Sequence, residues 1–155
     1  MTQTTLCFLI DDQKILLAMK KRGFGTGKWN GVGGKVIAPE TLEEAIIRET
    51  EEEIGVSIDS SDLQKVAVLS FHFIDEHADW NQQCHVYLSK VWKNEPQESE
   101  EMKPEWYAFA DVPYDDMWID DKLWLPLVIA GKKIEADFYF KEEGKVLDRY
   151  GIKEL

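Results

Sequence analysis

The stretch that decides the fold covers residues 34–56 and reads GKVIAPETLEEAIIRETEEEIGV. Thr41 is followed three residues later by Glu44, a capping-box pattern that marks the start of a helix. Gly55 favours the left-handed conformation that ends helices. The stretch therefore predicts a helix over residues 42–54.

The predicted helix carries an acidic cluster beside its apolar face. At about 100° per residue, the face that should meet a core contains Leu42, Ala45, Ile46, Thr50 and Ile54. Glu49, Glu52 and Glu53 lie at the edge of this face, because positions i, i+3 and i+4 are neighbours on a helix. Like charges so placed repel, and burial increases the repulsion. Clustered hard oxygen ligands suit Mg²⁺ or Mn²⁺; the alternative is an ordinary solvated acidic face.

Two features flank the acidic cluster. Arg48 is expected to reach Glu44 and Glu52 and to hold Glu52 in place. Gly33-Gly34 precedes the helix and would permit close approach of the backbone to a ligand or metal ion.

A basic, glycine-rich segment leads into this stretch. Residues 20–30 read KKRGFGTGKWN. One interpretation is a solvated loop. The other is a ligand loop in which the cations meet phosphate, Phe24 and Trp29 pack or stack, and Asn30 meets a base edge.

The length and net charge of the chain limit the number of domains and the kinds of partner that we expect. A chain of 155 residues predicts one domain, 1–155, with room for a core. The net charge of −12 excludes non-specific binding of nucleic acid through a basic surface. Cys7 and Cys84 lie in apolar runs, which indicates reduced cysteines in the core. The apolar run at residues 6–10 is too short for a signal peptide or a membrane span. We therefore expect a cytoplasmic protein that binds neither membranes nor nucleic acid polymers, and nothing in the sequence requires a dimer.

The rest of the chain alternates strand-like runs with turn signals. The strands are expected at 4–10 and 14–19, forming a hairpin-like start, then at 31–36, 63–73, 84–92 and 105–110, and in a final hairpin at 135–140 and 145–150. A second helix is expected over residues 120–130, with Asp120-Asp121 as caps and Pro126 shifting its start or kinking it. Many strands with two helices predict an α/β fold with a mixed sheet and helices on both faces.

The spacing of residues 34–56 resembles the Nudix box, the signature of the Nudix hydrolases. The matching positions are Gly34, Glu40, Arg48, Glu49, Glu52, Glu53 and Gly55. Thr50 departs from the family, which usually has an aliphatic residue there. The resemblance implies an α/β/α sandwich that hydrolyses a phosphoanhydride bond in a nucleoside diphosphate linked to another group.

The same resemblance implies the residues of the reaction. The metal ligands would be the carbonyl of Gly34 and the carboxylates of Glu49, Glu52, Glu53 and, from outside the box, Glu101. Mg²⁺ is the expected ion, with Mn²⁺ as a substitute. Glu52 or Glu53 would be the general base, with Glu101 as a further candidate, and Arg48 is expected among the catalytic residues.

Three other stretches resemble the MutT-like branch, and in particular the group that hydrolyses oxidised purine nucleoside triphosphates. They are LLAMKKRGFGTGKWNGVGGKV (16–36), ESEEMKPEWY (98–107) and DMWIDDKLWLPL (116–127). In that group an Asn, a Trp and two adjacent Asp line the purine pocket, which here implies Asn30, Trp118, Asp120 and Asp121. Further pocket positions match Thr5, Lys20, Phe24, Phe71, Met102 and Trp124. The chain departs from the group at Gln82, Ile119 and Leu123.

The acidic pair suits a base pocket. Two close carboxylates in apolar surroundings share a proton and so offer one donor and one acceptor, while Trp118 offers a face for stacking. Helix capping is the alternative role for Asp120 and Asp121.

The resemblance implies Mg²⁺-dependent hydrolysis of 8-oxo-dGTP, 2-oxo-dATP or similar nucleotides to monophosphate and pyrophosphate. Another nucleoside diphosphate derivative as substrate, or a catalytically dead nucleotide-binding module, are the alternatives.

Overall fold

A computed structural model describes residues 1–155 and contains nine strands and two α-helices. The strands are β1 (Thr2–Leu9), β2 (Lys14–Lys20), β3 (Trp29–Asn30), β4 (Val32–Lys35), β5 (Leu63–Phe73), β6 (Gln82–Ser89), β7 (Met102–Ala108), β8 (Ile134–Lys141) and β9 (Val146–Glu154). The helices are α1 (Leu42–Ile54) and α2 (Asp121–Ile129).

The strands form two sheets. The larger is mixed and runs β4-β1-β6-β5-β8-β9, with β1–β6 and β5–β8 parallel and the other pairs antiparallel. The smaller is antiparallel and runs β3-β2-β7. The predicted α/β class with a mixed sheet is confirmed, and the final hairpin forms as β8–β9.

The two helices cover opposite faces of β1. Side chains alternate along a strand, so Phe8 enters the core that contains Trp124 of α2, whereas Leu9 enters the core that contains Ile46 of α1. The predicted placement of helices on both faces is therefore confirmed. No helix is long and apolar enough to cross a membrane.

The local signals for α1 form as predicted. The hydroxyl of Thr41 accepts from the backbone N–H of Glu44 at 3.1 Å, and the Glu44 carboxylate accepts from the backbone N–H of Thr41 at 3.1 Å. Gly55 ends the helix with φ 70°. Thr50, the departure from the Nudix box, is buried and donates its hydroxyl to the carbonyl of Ile46, so its polar group is satisfied within the helix.

The predicted hairpin-like start is wrong. β1 and β2 lie in different sheets and do not pair as strands, and an isolated antiparallel bridge joins Ile10 to Ile15 where the chain turns between them. Both strands are buried along most of their length, so each needs cover on two faces. Within its own sheet each strand is paired along both edges, β1 with β4 and β6 and β2 with β3 and β7, so neither has a free edge for the other.

The predicted capping role of the acidic pair is wrong for Asp120. Asp120 occupies the N-cap position of α2 but makes no side-chain capping hydrogen bond. Its Oδ2 instead accepts from Nε1 of Trp124 at 2.8 Å. Pro126 lies inside the helix rather than at its start, where it lacks the N–H that would reach the preceding turn.

Gly33→Ala is expected to lower the free energy of unfolding by more than about 3 kcal/mol, because overpacking against backbone has no side chain to move aside. A Cβ at Gly33 would lie 1.9 Å from the carbonyl oxygen of Thr5. Gly151→Ala is the matched control, since a Cβ there meets nothing within 4 Å. Urea denaturation measures both, and equal stabilities would contradict this account of the β1–β4 contact.

Candidate functional site

Two cavities adjoin each other beside the loop that enters α1. The larger has a volume of about 710 Å³ and the smaller about 510 Å³. Lys20, Gly33, Gly34 and Met102 line both, so a ligand that fills the larger cavity can extend into the smaller across the two glycines.

The smaller cavity collects the acidic residues that the sequence singled out. It is lined by Glu49, Glu52, Glu53 and Glu101, with Gly34 at its edge. Three of these carboxylates come from one side of α1, as the helical spacing predicts. The fourth comes from the residue before β7.

Glu53 is the most constrained of these carboxylates. It is 9% exposed, and its Oε2 is buried without a hydrogen-bond partner. Burial raises its pKa to about 8, and the charge of Glu49 adds to the shift. A buried carboxylate oxygen without a donor is destabilising unless a cation or a proton meets it.

Arg48 holds the acidic cluster from the flank. Its guanidinium lies 2.7 Å from Glu40, 2.9 Å from Glu49 and 3.4 Å from Glu52. The Arg48 hydrogen bond lowers the pKa of Glu40 to about 2. The predicted contact with Glu52 is confirmed. The predicted contact with Glu44 is wrong, because the Glu44 carboxylate is used in the capping box.

Position 34 favours glycine because its backbone lies very close to the Glu49 carboxylate. A Cβ at this position would lie 2.8 Å from Oε1 of Glu49, closer than side-chain atoms tolerate. The glycine therefore lets the backbone of β4 and the Glu49 carboxylate lie side by side, while the predicted approach to a ligand or metal ion stays a prediction.

The acidic side chains line one cavity but do not converge on a single point. No three His, Cys, Asp or Glu side chains are gathered closely enough to hold an ion. Glu52 has 61% of its side chain exposed, and Glu101 pairs with Arg22 at 3.1 Å. Repulsion between like charges favours such a spread, and the metal-ligand roles stay predictions.

The residues nevertheless fit a divalent ion. The donor set is entirely hard oxygen, which suits Mg²⁺ or Mn²⁺. The unpartnered Oε2 of Glu53 points to a positive partner in this cavity, and the neighbouring Glu49 carboxylate is already oriented by Arg48.

Arg48→Gln is expected to weaken Mg²⁺-supported activity by about 10- to 100-fold, the usual effect of removing a group that orients metal ligands. The half-saturating Mg²⁺ concentration should rise, because Glu49 and Glu52 lose their shared cation. Magnesium titration of the hydrolysis rate measures this. Arg149→Gln, which removes a cation from the outer strand β9, is the control, and equal titration curves for the two variants would contradict the role.

The larger cavity brings together the residues that the resemblance implied for substrate. Its lining includes Thr5, Lys20, Phe24, Asn30, Phe71, Met102, Trp118, Asp120, Asp121 and Trp124. These come from strands of both sheets, from the loop before β3, from the segment before α2 and from α2 itself. The structure therefore places them around one volume, while their individual roles stay predictions.

The acidic pair lies within the wall of this cavity. Asp120 and Asp121 are each 3% exposed. Burial raises the pKa of Asp120 to about 6, and burial together with the charge of Asp120 raises the pKa of Asp121 well above its usual range. Oδ2 of Asp121 has no hydrogen-bond partner. The pair can share a proton and present both a donor and an acceptor to a ligand.

An aromatic wall completes the cavity. The ring of Phe24 lies 5.3 Å from that of Trp118 and 5.2 Å from that of Trp80, and Trp80 also packs on Phe73 at 5.6 Å. Nζ of Lys28 lies over Trp118 at 5.1 Å. Trp80 and Phe73 were not among the predicted site residues; a Trp inside a polar loop is the signal that could have indicated Trp80.

Comparisons with known proteins agree with this geometry. A model of the NUDIX domain matches residues 2–128. The oxidized purine nucleoside triphosphate hydrolase of Mus musculus is 40% identical over 151 residues, which is 97% of this chain and 94% of that protein. The protein of the same name from Danio rerio is 42% identical over 140 residues, covering 90% and 86% of the two chains.

The fold has a counterpart among solved structures. The crystal structure of a mutator MutT protein from Bacillus halodurans superposes with a TM-score of 0.85 and covers 98% of this chain and 97% of that one. The two sequences are 24% identical, so this likeness bears on the fold alone.

Proposed function

Because the chain belongs to the Nudix family, we propose that it hydrolyses oxidised purine nucleoside triphosphates. The substrates would include 8-oxo-dGTP and 2-oxo-dATP, and the products would be the nucleoside monophosphate and pyrophosphate. Under this proposal residues 1–155 act as one domain and as a cytoplasmic monomer, on a small molecule rather than on a nucleic acid polymer.

The observation that carries the proposal is the pairing of two cavities. The larger contains a buried acidic pair and aromatic rings, which suit a purine base. The smaller contains carboxylates, which suit a divalent ion beside phosphate. Gly33 and Gly34 lie between them, so a nucleotide would place its base in one and its phosphates in the other.

The carboxylates would serve the phosphate end. Glu49, Glu52 and Glu53, with the carbonyl of Gly34, would hold Mg²⁺, or Mn²⁺ in its place. When bound, such an ion neutralises charge on phosphate oxygens and makes water more acidic. Glu52 or Glu53 would accept the proton of the attacking water, and Glu101 is the further candidate.

Two cationic side chains, Lys20 and Arg48, would also act at the phosphate end of the nucleotide. Lys20 lines both cavities, so its ammonium can meet the phosphates where they cross from one to the other. Arg48 contacts Glu40, Glu49 and Glu52 and would act through them rather than on the substrate.

The larger cavity would select the base. Trp118 would stack on the purine, and Asn30 and the acidic pair would meet its edges. Because the shared proton of Asp120 and Asp121 can lie on either carboxyl group, the pair can suit oxidised bases that differ in their donors and acceptors.

The experiment is a product analysis with 8-oxo-dGTP in Mg²⁺ buffer. Chromatography should show the monophosphate and pyrophosphate in equal amounts, and EDTA should stop the reaction. A diadenosine polyphosphate and ADP-ribose, assayed in parallel, should react at least about tenfold more slowly. Release of the nucleoside diphosphate and inorganic phosphate, or a preference for a dinucleotide, would overturn the proposal.

A further inference from the structure

We propose that Gln82 is a specificity-determining residue whose side-chain amide donates a hydrogen bond to an exocyclic oxygen of the bound purine. This inference rests on the proposed function. According to this inference, the larger cavity prefers a purine that bears a carbonyl oxygen. The residue that recognises this oxygen is Gln82, which lies apart from Asp120 and Asp121.

Gln82 is positioned by the first residues of two parallel strands. It opens β6 and lies in the wall of the larger cavity. Its Oε1 accepts a hydrogen bond from the hydroxyl of Thr4 on β1 at 3.0 Å. Thr4 is 8% exposed and lines the same cavity, so the contact lies inside the cavity wall rather than on the outer surface.

This hydrogen bond decides which end of the amide is left for a ligand. A glutamine amide has one carbonyl acceptor and one NH₂ donor group. The Thr4 hydroxyl donates to one of the two lone pairs of the carbonyl at 3.0 Å, and it lies farther, at 3.5 Å, from the backbone carbonyl of Gln83. Nε2 of Gln82 donates to no atom of the protein, and it is not among the buried polar atoms that lack a partner. Gln82 therefore presents a donor to the cavity, and a donor recognises an acceptor.

The hydrogen bond between Thr4 and Gln82 is not needed to hold β1 and β6 together. β1 and β6 pair through backbone from Thr2 opposite Gln82 to Leu9 opposite Ser89. One further neutral hydrogen bond adds only about 1 kcal/mol to such a ladder. Fixing the orientation of a cavity-lining amide is the consequence that the backbone pairing does not already provide.

Other unpartnered polar atoms line the same cavity. Oγ1 of Thr5 and Oδ2 of Asp121 are buried without protein partners. The acidic pair offers both a donor and an acceptor, so it can meet either kind of base edge. The Nε2 group of Gln82 offers only donors, and so it is the group that can require an acceptor. An exocyclic carbonyl oxygen is such an acceptor: guanine carries one, 8-oxoguanine carries two, and unsubstituted purine carries none.

The test compares two nucleotides as substrates of the protein of residues 1–155. One is 8-oxo-dGTP, and the other is the 2′-deoxyribonucleoside triphosphate of unsubstituted purine, which has no exocyclic oxygen. Gln82→Met keeps the length of the side chain and removes its polar atoms. It should raise KM for 8-oxo-dGTP about tenfold more than KM for the unsubstituted nucleotide, with little change in kcat for 8-oxo-dGTP.

Two further variants separate recognition from packing. Thr4→Val removes the hydroxyl that orients the amide, and it should shift the KM ratio of the two nucleotides in the same direction by a smaller factor. Gln83→Met changes the neighbouring side chain, which does not line the cavity, and should leave the ratio as in the wild type. If Gln82→Met does not fold, as judged by its thermal unfolding, Gln82→Asn provides the same comparison, because its amide is one methylene short.

The outcomes separate this inference from the proposed function. If Gln82→Met leaves the KM ratio of the two nucleotides unchanged, or lowers kcat alone, the role of Gln82 is overturned. Hydrolysis of 8-oxo-dGTP by the wild type would still uphold the proposed function in that case. A wild-type protein inactive on 8-oxo-dGTP would overturn both.

Discussion

Glu53→Gln is expected to reduce kcat by about 10³-fold, within the range for loss of a group that handles a proton in the transition state. The substitution keeps the shape of the side chain but removes the ionisable carboxyl group, whose Oε2 is buried and unpartnered. A neutral amide can neither accept the proton of water nor attract a cation as a carboxylate does. Initial rates with Mg²⁺ and 8-oxo-dGTP measure the change.

The control and the fold test use the same helix. Glu51→Gln alters an exposed residue of α1 that lines neither cavity, and its rate should match the wild type.

In EDTA, the stability of the wild type should fall as pH rises from about 4.5 to about 8, because the raised pKa of Glu53 lets the unfolded chain ionise first. Glu53→Gln should lose less stability over that range. A variant with an undiminished rate would contradict the placement of Glu53 in the reaction.

Asp121→Asn is expected to lower kcat/KM for 8-oxo-dGTP by about 30- to 100-fold, since an amide cannot share a proton with Asp120 and leaves a donor or acceptor in the cavity unpaired. The effect should be smaller for unmodified dGTP, so discrimination should fall. Asp115→Asn, at an exposed position in the segment before α2, is the matched control. Steady-state kinetics on the two nucleotides measure both variants.

The same variant tests the electrostatics of the pair. Both pKa values are raised in the folded protein, that of Asp120 to about 6. The unfolded chain therefore releases protons at lower pH, and the wild type should lose stability as pH rises above about 4. With one acid removed, Asp121→Asn should show a shallower decline and gain relative stability at pH 8. Parallel pH profiles in urea denaturation would contradict the buried, proton-sharing pair.

Local signals explain what the sequence predicted well. The capping box at Thr41 and the stop at Gly55 each act within a few residues, so α1 forms with the predicted bounds. The same helical spacing places Glu49, Glu52 and Glu53 along one cavity. Such features depend little on the rest of the chain.

Features set by distant contacts were harder to predict. Nothing in a strand buried on both faces reveals which neighbour it pairs with, and so β1 and β2 read as a hairpin. Arg48 finds Glu40 because the loop before α1 returns beside the helix. Asp120 faces Trp124 instead of capping α2. Trp80 joins the aromatic wall through Phe24, a contact between two loops that no periodic pattern records.

One comparison tests the central claim most directly: the ratio of kcat/KM for 8-oxo-dGTP to kcat/KM for dGTP, measured with the wild-type protein in Mg²⁺. We predict a ratio of about ten or more, equivalent to about 1.4 kcal/mol of transition-state discrimination. A ratio near one would contradict the assignment of the larger cavity to oxidised purines, although the acidic cavity could still support hydrolysis.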